Sequence, residues 1–390
     1  MSSEESLRIA IVHEWLTGMR GGEKCVEALC EAFPQADVFT LIHLPGSVSP
    51  TIERAVKQTT FIQNLPGART HYRRYLPLFP SAIRSLDLDG YDLVISSHHC
   101  VAKGVRVPRQ ALHICYCHTP MRYLWTKYDE YFSKGRAGFF TRAAMQVVAR
   151  PMRRWDRATA SNPHHFVATC QNVRQRIREI YGRDSEIVNP PVNTALFPLS
   201  AGEGSYFLMV SALVPYKRVD LAIEAFNRCG DRLVIVGTGP NDRALRALAR
   251  PNISFEGWRS DDELRQYYEG CRGLIFPGDE DFGIVPLEAM SAGKPVLAYA
   301  RGGALETVKV TPELKTGTFF HHQTVDDLLQ GLEQMKSTRF DSGAIRRHAL
   351  AFDREIFKSR MKDFCLSRWR TFVARSPEAL MPEQVIAAVR

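Results

Sequence analysis

The sequence predicts an α/β protein built from two doubly wound parallel sheets. Short apolar runs alternate with helical patterns along most of the 390 residues, which is the pattern of repeated strand–helix units. The runs are apolar throughout, as expected of strands that are covered on both faces. A proline-rich stretch at Asn189–Gly204 interrupts the alternation. Because the chain is long enough for two domains, we interpret this stretch as the linker between them.

The first series of elements lies before the linker. Leu7–His13 is predicted to be a buried strand, and Gly21–Phe33 the helix that follows it. Tyr91–Ser97 and Ala111–Cys117 are two further candidates for buried strands. We therefore assign residues 1–198 to an N-terminal Rossmann-like domain.

The second series follows the linker and supports a second Rossmann-like domain at residues 199–365. In chain order its elements are Tyr206–Val210, Asp220–Asn227, Arg232–Val236, Ile253–Phe255, Gly273–Phe276 and Pro295–Ala298. The period of residues 342–374 is helical. We assign residues 366–390 to a C-terminal helical tail that packs back on the N-terminal domain.

The composition is that of a globular protein with a basic surplus. Hydrophobic residues make up 45% and charged residues 24%, which excludes a disordered, collagen-like or heptad-repeat chain. Fifty-one Lys and Arg against forty-two Asp and Glu give a net charge of +9, which favours anionic partners such as nucleic acid, acidic lipid or sugar nucleotides. The nine cysteines include no C-x-x-C pair, which argues against a disulfide framework and against a zinc site.

The most specific motif is the segment Glu280–Glu288, which follows an apolar strand and turns at a glycine into a helix. The backbone N–H groups of Gly283, Ile284 and Val285 are expected to point at a phosphate, assisted by the helix dipole. The carboxylate of Glu288 is placed to accept two ribose hydroxyls. The alternative for Glu288 is a favourable dipole partner at the start of a helix.

Other residues at strand ends of the second half are candidates for the same ligand. Lys217 and Arg218 offer a compact and a bidentate cation to a diphosphate, although they are also typical of a solvated helix start. Gly257 and Trp258 are suited to packing against a base, although Trp258 is equally suited to an ordinary core. Val236–Pro240 lacks the third glycine of a dinucleotide fingerprint, so a nicotinamide or flavin cofactor is not expected.

The first half offers its own strand ends. Gly21 and Gly22 open a helix after the first strand and can present N–H groups to a diphosphate, or form a plain strand-to-helix turn. His118 follows an apolar strand at the end where open α/β sheets bind ligands. Weaker candidates of the same kind, at least one of which we interpret as a loop residue, are His13, His98 and His99.

These motifs together resemble the retaining glycosyltransferases of family 4, which have the GT-B architecture of two Rossmann-like domains facing an interdomain cleft. Glu280 and Glu288 match the two glutamates of the family, which are separated by seven residues, and Val210–Lys217 matches its phosphate-lysine loop. The N-terminal half resembles the branch of bacterial mannosyltransferases of the WbaZ type in the segments Val12–Leu16, Gly21–Glu23, Ser96–His99 and Tyr116–Trp125.

The resemblance implies a reaction. It implies transfer of a hexose, foremost mannose from GDP-mannose, to a lipid-linked or oligosaccharide acceptor in the assembly of O-antigen or exopolysaccharide at the cell surface. A UDP-sugar donor on the same fold is the alternative. Retention of the anomeric configuration would follow from attack on the face that the phosphate leaves. A metal or other cofactor is not expected, and the Asp-x-Asp strings at Asp87–Asp89 and Asp279–Asp281 are interpreted as coincidence.

The resemblance also implies roles for the candidate residues. Lys217 and Arg218 would stabilise the departing diphosphate. Glu280 and His118 would be the catalytic residues: the first would orient the donor sugar, and the second would contact the sugar or the acceptor. The family usually carries an arginine where this chain has Ala212. This departure implies either that Arg218 substitutes for that arginine or that the donor affinity is reduced.

Two basic and aromatic stretches, Arg69–Arg84 and Lys134–Arg157, are suited to an interface with anionic lipid headgroups. The alternative is solvated helices with aromatic core residues. The chain lacks the roughly 18-residue apolar run of a spanning helix and a secretory signal, so we expect a cytoplasmic protein, peripheral on the inner face of the plasma membrane. Nucleic acid is not an expected partner, although a basic nucleic-acid-binding protein and an inactive scaffold remain the alternatives of another class. The oligomeric state stays open.

Overall fold

The computed structural model describes residues 7–132, 138–200, 202 and 204–375, and the chain divides into two compact units. Unit 1 contains the residues up to Asn189 together with those from Phe357 onward, and unit 2 is Pro190–Ile356.

Unit 1 is built around a parallel sheet of seven strands in the order β3-β2-β1-β4-β5-β6-β7. The strands are β1 (Ile9–Leu16), β2 (Asp37–His43), β3 (Val56–Thr59), β4 (Leu93–His98), β5 (Leu112–Cys117), β6 (His165–Ala168) and β7 (Glu186–Ile187). The helices are α1 (Gly21–Ala32), α2 (Pro50–Ala55), α3 (Ala68–His71), α4 (Phe79–Arg84), α5 (Arg122–Trp125), α6 (Tyr128–Phe132), α7 (Phe139–Ala158) and α8 (Gln171–Tyr181).

Unit 2 contains a parallel sheet of six strands in the order β10-β9-β8-β11-β12-β13. The strands are β8 (Tyr206–Val210), β9 (Leu233–Val236), β10 (Ile253–Gly257), β11 (Cys271–Phe276), β12 (Val296–Tyr299) and β13 (Gly317–Phe320). The helices are α9 (Val219–Cys229), α10 (Asp242–Leu248), α11 (Asp261–Gly270), α12 (Ile284–Ser291), α13 (Ala304–Thr307), α14 (Val325–Ser337) and α15 (Ser342–Leu350). A last helix, α16 (Arg354–Arg375), begins in unit 2 and continues into unit 1.

Both sheets confirm the predicted α/β fold class, because each has the strand order of a doubly wound sheet. In such a sheet the order reverses at one point, and the crevice beyond the carboxyl ends of the strands at that point binds ligands. The reversal lies between β1 and β4 in unit 1 and between β8 and β11 in unit 2. These two edges are therefore where a site is expected.

Local sequence explains where several helices begin and end. The side chains of Ser49, Ser260 and Thr324 each accept a hydrogen bond from a backbone N–H in the first turn of the following helix, which satisfies one of its unpaired donors. Gly182 and Gly230 end α8 and α9 in the left-handed region, which glycine adopts without steric cost.

The first unit boundary falls earlier in the chain than the predicted division at 198/199, because part of the predicted linker packs within unit 2. Val192 pairs with the segment before α16 through hydrogen bonds with the backbone of Phe352 and Arg354. Phe197 is buried, and its carbonyl accepts a hydrogen bond from Arg346 at 2.7 Å. The chain from Pro190 onward is therefore part of unit 2.

The second boundary, at 356/357, also falls before the predicted division at 365/366. Phe357, Met361 and Cys365 on α16 lie in the same hydrophobic cluster as the strands β1 and β4, and the partly buried Trp369 and Phe372 pack against that cluster. Helix α16 therefore completes the core of unit 1. Residues 376–390 of the predicted tail lie outside the described residues.

Within the described residues, no helix is long and apolar enough to cross a membrane. In the basic stretch Arg69–Arg84, Tyr72 and Phe79 are buried in the core of unit 1. Their rings lie 5.3 and 6.3 Å from that of Trp15. The aromatic residues of this stretch are thus structural, as in the alternative interpretation.

Candidate active site

Three imidazoles meet at the carboxyl ends of β1, β4 and β5 in unit 1. His13 pairs in register with Ser97 of the neighbouring strand, and its Nδ1 lies 3.0 Å from the Ser97 hydroxyl oxygen. That hydroxyl also lies 2.8 Å from Nε2 of His118, which follows β5 directly. The ring of His99 lies 5.7 Å from that of His13 and 6.1 Å from that of His118. Residues distant in sequence thus share the edge where the order of the sheet reverses.

Glu14 is the buried centre of this group. Its Oε1 accepts hydrogen bonds from the backbone N–H groups of His99, Cys100 and Ala102 at 2.9, 2.8 and 3.2 Å. Its Oε2 lies 3.0 Å from Nδ1 of His99, and its Oε1 lies 3.4 Å from Nδ1 of His98. Burial would raise the pKa of the Glu14 carboxyl, but these imidazoles hold that pKa well below its usual range. Glu14 is therefore ionised at neutral pH.

The four histidines differ in basicity. Burial lowers the pKa of His118 to about 3, with neighbouring imidazoles adding to the shift. Burial also lowers the pKa values of His13 and His98. For His99, burial opposes protonation, but the Glu14 carboxylate outweighs it and raises the pKa of the ring. His99 is the one imidazole of the four with a raised pKa.

The N-terminus of α1 lies against His13. A Cβ at Gly22 would meet the ring of His13 at 3.3 Å, a tight contact that would require the ring to shift by a few tenths of an ångström. Nε2 of His13 is buried and has no hydrogen-bond partner among the described residues. Gly21 and Gly22 open a helix of 12 residues, so an unpaired imidazole nitrogen and unpaired backbone N–H groups are close together.

His13, Glu14 and His99 also offer three ligand atoms within 4.8 Å of one another. Imidazole nitrogens and a carboxylate oxygen are ligands that zinc and other transition metals accept. The Nδ1 of His13 contacts the Ser97 hydroxyl, whereas its Nε2 and the Oε2 of Glu14 have no hydrogen-bond partner among the described residues.

In unit 2, Lys217 and Glu280 form an ion pair between their Nζ and Oε1 atoms. Lys217 ends a short helical turn after β8, and Glu280 follows β11, so the pair lies where the order of the second sheet reverses. A Cβ at Gly278 would meet the Lys217 Cα at 3.1 Å, which shows how closely the two loops approach. The structure thus brings together two residues predicted to act on one ligand.

Arg218 was predicted to contact a diphosphate, and in the structure its guanidinium contacts other side chains of unit 2. Its backbone is in the left-handed region, with φ of 53°. Its guanidinium contacts Asp220 at 3.3 Å and the Gln323 side-chain oxygen at 3.2 Å. Gln323 in turn donates to the backbone carbonyl of Pro277 at 2.8 Å. In this structure Arg218 therefore links α9 to the loop after β11.

Helix α12 begins where the sequence predicts an anion site in unit 2. Gly283 has a φ of 85° and precedes the helix, which begins at Ile284 and continues through Val285. Glu288 is buried, and the buried Tyr268 hydroxyl donates a hydrogen bond to its Oε2 at 2.9 Å. The hydroxyl therefore fixes one oxygen of the carboxylate expected to hold a ribose.

Gly257 and Trp258 lie at the end of β10, on the outer edge of the second sheet. Gly257 has a φ of 72°, and the Trp258 side chain is 70% exposed. Trp258 is therefore not a core residue, which was the alternative interpretation of this position.

The sequence interpretation missed Glu14 and Tyr268 as candidate site residues. Tyr268 lies on α11, twenty residues before its partner, and nothing in the local pattern links the two. Glu14 had a local signal: an acidic residue within an otherwise apolar strand that is buried on both faces is costly without partners.

The strand orders and the two candidate sites define an α/β protein of the GT-B fold. Anabaena HepE, solved in complex with UDP and glucose, superposes with a TM-score of 0.68 over 92% of this chain and 99% of its own, at 16% identity. Sucrose-phosphate synthase from Thermosynechococcus elongatus superposes with a TM-score of 0.70 over 95% of this chain and 100% of its own, at 18% identity.

Two family models match successive parts of the chain. The model described as Glycosyltransferase Family 4 matches residues 19–196. The model described as Glycosyl transferases group 1 matches residues 197–350. The chain belongs to glycosyltransferase family 4.

Curated relatives match over part of their length. The GDP-mannose-dependent alpha-(1-6)-phosphatidylinositol monomannoside mannosyltransferase of Mycobacterium tuberculosis is 33% identical over 34% of this chain and 39% of its own. The sulfoquinovosyl transferase SQD2 of Arabidopsis thaliana is 31% identical over 40% and 32%. The O-antigen chain mannosyltransferase C of Escherichia coli is 30% identical over 30% of each chain. The matches thus span less than half of the length of these relatives.

Proposed function

We propose that the protein is a retaining glycosyltransferase that moves a hexose, mannose from GDP-mannose, to a lipid-linked or oligosaccharide acceptor. We place this activity in the assembly of cell-surface polysaccharide. Within family 4, we place the protein in the WbaZ-type branch. The observation that carries the proposal is the Lys217–Glu280 pair, located beside the N-terminus of α12 where the second sheet reverses its order. A cation, an acid and a helix N-terminus together fit a sugar joined to a diphosphate.

Unit 2 binds the donor in this proposal. When the donor binds, its diphosphate replaces the Glu280 carboxylate as the partner of the Lys217 ammonium. The Glu280 carboxylate then accepts hydrogen bonds from the sugar hydroxyls. The N–H groups of Gly283, Ile284 and Val285 bind phosphate oxygens, and the second oxygen of Glu288 accepts from the ribose. Negative charge that develops on the leaving diphosphate is stabilised by groups already oriented toward it.

Arg218 and Trp258 have supporting roles. Arg218 holds the loop after β11 in place through Gln323 and adds positive charge near the phosphates. The exposed ring of Trp258, next to Gly257, offers a flat face for a nucleobase.

In unit 1, taken by itself, the groups that we propose to contact a substrate are the N-terminus of α1 and the histidine group. Gly21 and Gly22 offer N–H groups to an anionic group of the substrate, and His13 offers its unpaired Nε2. His118, with a pKa lowered to about 3 by burial, is neutral at physiological pH. Its Nε2 contacts the Ser97 hydroxyl, so it can position the sugar or the acceptor without carrying charge.

The names of two relatives support mannose from GDP-mannose or an O-antigen pathway. HepE was solved in complex with UDP and glucose, so a UDP-sugar is the alternative donor in this proposal. The test is thermal unfolding of the full chain with GDP, UDP, GDP-mannose and UDP-glucose, followed by release of the nucleoside diphosphate. Thermal stabilisation by GDP-mannose and its turnover support the proposal. Stabilisation by the UDP compounds alone contradicts GDP-mannose as the donor and favours a UDP-sugar. A chain that none of the four ligands stabilises is not a glycosyltransferase for these donors.

The proposed reaction uses no metal. In unit 2, the positive groups that would offset the diphosphate charge come from the chain itself, through Lys217 and the N-terminus of α12. Turnover that is unchanged after chelation with EDTA supports this part of the proposal, and turnover that is lost and then restored by a divalent cation contradicts it.

We further propose that α7 binds an anionic membrane surface. Phe140 and Val147 are 85% and 75% exposed, and their spacing of seven places them on one face of the helix. Pro151 extends that face, and the exposed Arg150 and Arg154 flank it. An apolar stripe bordered by cations fits the boundary between acyl chains and acidic headgroups. Residues 133–137 of the predicted lipid-binding stretch lie outside the described residues.

Sedimentation with vesicles tests this surface. The full chain should sediment with phosphatidylglycerol vesicles more than with phosphatidylcholine vesicles, and the double variant Phe140→Ser, Val147→Ser should lose most of that binding. Leu248→Ser, at an exposed position of unit 2, is the matched control. Binding that ignores the anionic lipid content contradicts the proposal.

A further inference from the structure

A cavity of about 640 Å³ lies within unit 1, between the short helices α5 and α6 and the second half of α7. Its volume is in the range of ligand-binding pockets. Helix α7 contributes Gln146, Ala149, Arg150 and Arg153, and the opposite wall consists of residues 125–130. The proposed binding of the donor in unit 2 uses none of these residues. The cavity is therefore a feature of unit 1 that has no role so far.

The wall that α7 forms is cationic. Arg150 and Arg153 are about one helical turn apart and lie on the same face of the helix. Neither of them forms an ion pair with an acid among the described residues. The one acid in the sequence of α7, Asp156, is fully buried and pairs with Lys103 at 2.7 Å. The positive charge of this wall is thus not offset by an acid of the same helix.

The guanidinium of Arg153 is held in place by neighbouring groups. Its Nε donates a hydrogen bond to the carbonyl of Leu124 at 2.7 Å. Its Cζ lies 5.7 and 5.2 Å from the ring centroids of Trp125 and Tyr128. The Trp125 indole is itself fixed, because its Nε1 donates to Asp156 at 2.7 Å. The two terminal nitrogens of Arg153 have no hydrogen-bond acceptor in the described part of the chain, so an oriented guanidinium is available to an oxyanion.

The opposite wall carries charges of both signs. Lys127 pairs with Glu130 at 2.8 Å, so these two charges largely offset each other. The remaining acid of the cavity wall is Asp129, which is exposed. Two guanidinium groups thus face one solvated carboxylate across the cavity. This balance attracts an anion toward the α7 wall, where a cation would be repelled.

The cavity lies next to the apolar stripe of α7. Successive residues of a helix turn by about 100°, so Val147, Arg150 and Arg153 follow one another in steps of about 60° around the axis. Val147 belongs to the exposed stripe with Phe140, and Arg153 lines the cavity. Arg150 lies between the two. A ligand with an apolar chain and an anionic head could therefore contact the stripe and the cavity at once, which a free anion could not do.

We propose that this cavity binds the diphosphate group of a membrane lipid, with Arg150 and Arg153 donating hydrogen bonds to its oxygens. The inference rests on the proposed function and gives the lipid-linked acceptor a binding site in unit 1. Each guanidinium can bind a phosphate through two N–H groups. Two of them match two linked phosphates better than the single phosphodiester of a common phospholipid.

Sedimentation with two kinds of phosphatidylcholine vesicle tests the site. One kind contains a polyprenyl diphosphate, and the other contains phosphatidylglycerol at the same surface charge. The full chain should bind the first kind more tightly. Arg150→Gln and Arg153→Gln should each weaken that binding by about 10- to 100-fold, the effect of hydrogen bonds to a charged group. Arg154→Gln is the matched control, because it removes the same charge from an exposed neighbour that does not line the cavity, and it should weaken binding to both vesicles alike.

Thermal unfolding checks each variant, since Arg153 also bonds to the backbone, whereas Arg150 is exposed. Equal binding of the wild type to both vesicles, or a folded Arg150→Gln variant that keeps the wild-type preference, overturns the inference. An Arg154→Gln variant that loses the preference also overturns it. Displacement by inorganic pyrophosphate at the concentration of the lipid contradicts a lipid as the ligand.

Release of the nucleoside diphosphate from the donor is measured with the same preparations. A wild type that neither binds nor turns over a donor overturns the proposed function. A wild type that turns over a donor but shows no preference for the diphosphate lipid overturns this inference alone.

Discussion

Replacing Lys217 by methionine removes the ammonium that pairs with Glu280 and keeps most of the aliphatic stem. Both side chains are largely shielded, at 15% and 19% exposure. At an effective dielectric constant of about 20, the interaction energy of two unit charges about 4 Å apart is about 4 kcal/mol. If between half and all of this interaction appears only as the diphosphate leaves, the loss is about 2 to 4 kcal/mol, which corresponds to a decrease in kcat of roughly 30- to 10³-fold.

The assay is release of the nucleoside diphosphate from the donor that stabilises the wild type best. The same variant should still unfold in one cooperative transition, because the Glu280 carboxylate, at 19% exposure, keeps access to water once its cation is removed. Lys336→Met is the matched control, since Lys336 pairs with Asp231 and Glu333 away from the candidate site. A folded Lys217→Met variant that turns over within about twofold of the wild type would refute the assignment of the cation.

Three other perturbations have defined outcomes. Gly22→Ala should raise the KM for the donor, because its Cβ would press on an imidazole at 3.3 Å, whereas Gly138→Ala, with open space around its Cβ, should leave KM unchanged. Lys103→Met should lower the free energy of unfolding by about 3–5 kcal/mol in urea titrations, because it leaves the fully buried Asp156 without its cation; the double variant with Asp156→Leu should recover part of that loss. Burial lowers the pKa of His113 to about 3, so the unfolded chain binds this proton first and stability should fall as the pH drops below about 6.5; His113→Gln should flatten this dependence, and an unchanged slope would contradict it.

The parallel sheets were predictable because their central strands are continuous apolar runs. Tyr206–Val210 has the predicted bounds of β8, and Leu112–Cys117 is nearly the predicted strand. The edge strand Val56–Thr59 was not predictable in the same way, because its sequence VKQT has neither an apolar run nor a clear alternation. Central strands carry the signal of burial on both faces, and edge strands do not.

The candidate site was only partly predictable for a different reason. Local motifs identified Lys217 and Glu280, because each lies on a recognisable strand-to-helix connection. The contact between Glu14 and the backbone after β4 joins residues more than 80 positions apart, and its meaning depends on which strands are neighbours. The pairing of Tyr268 with Glu288 likewise depends on packing, which the periodicity of one helix does not encode.

The last long helix has a consequence for how the chain matures. Unit 2 is a single continuous segment, whereas unit 1 needs Phe357, Met361 and Cys365 to fill its core. During synthesis, the first 189 residues emerge early but lack part of their apolar interior until the end of the chain leaves the ribosome. The segment translated second can therefore complete its fold before the segment translated first, and a nascent chain arrested before α16 would expose the unfilled interior to chaperones.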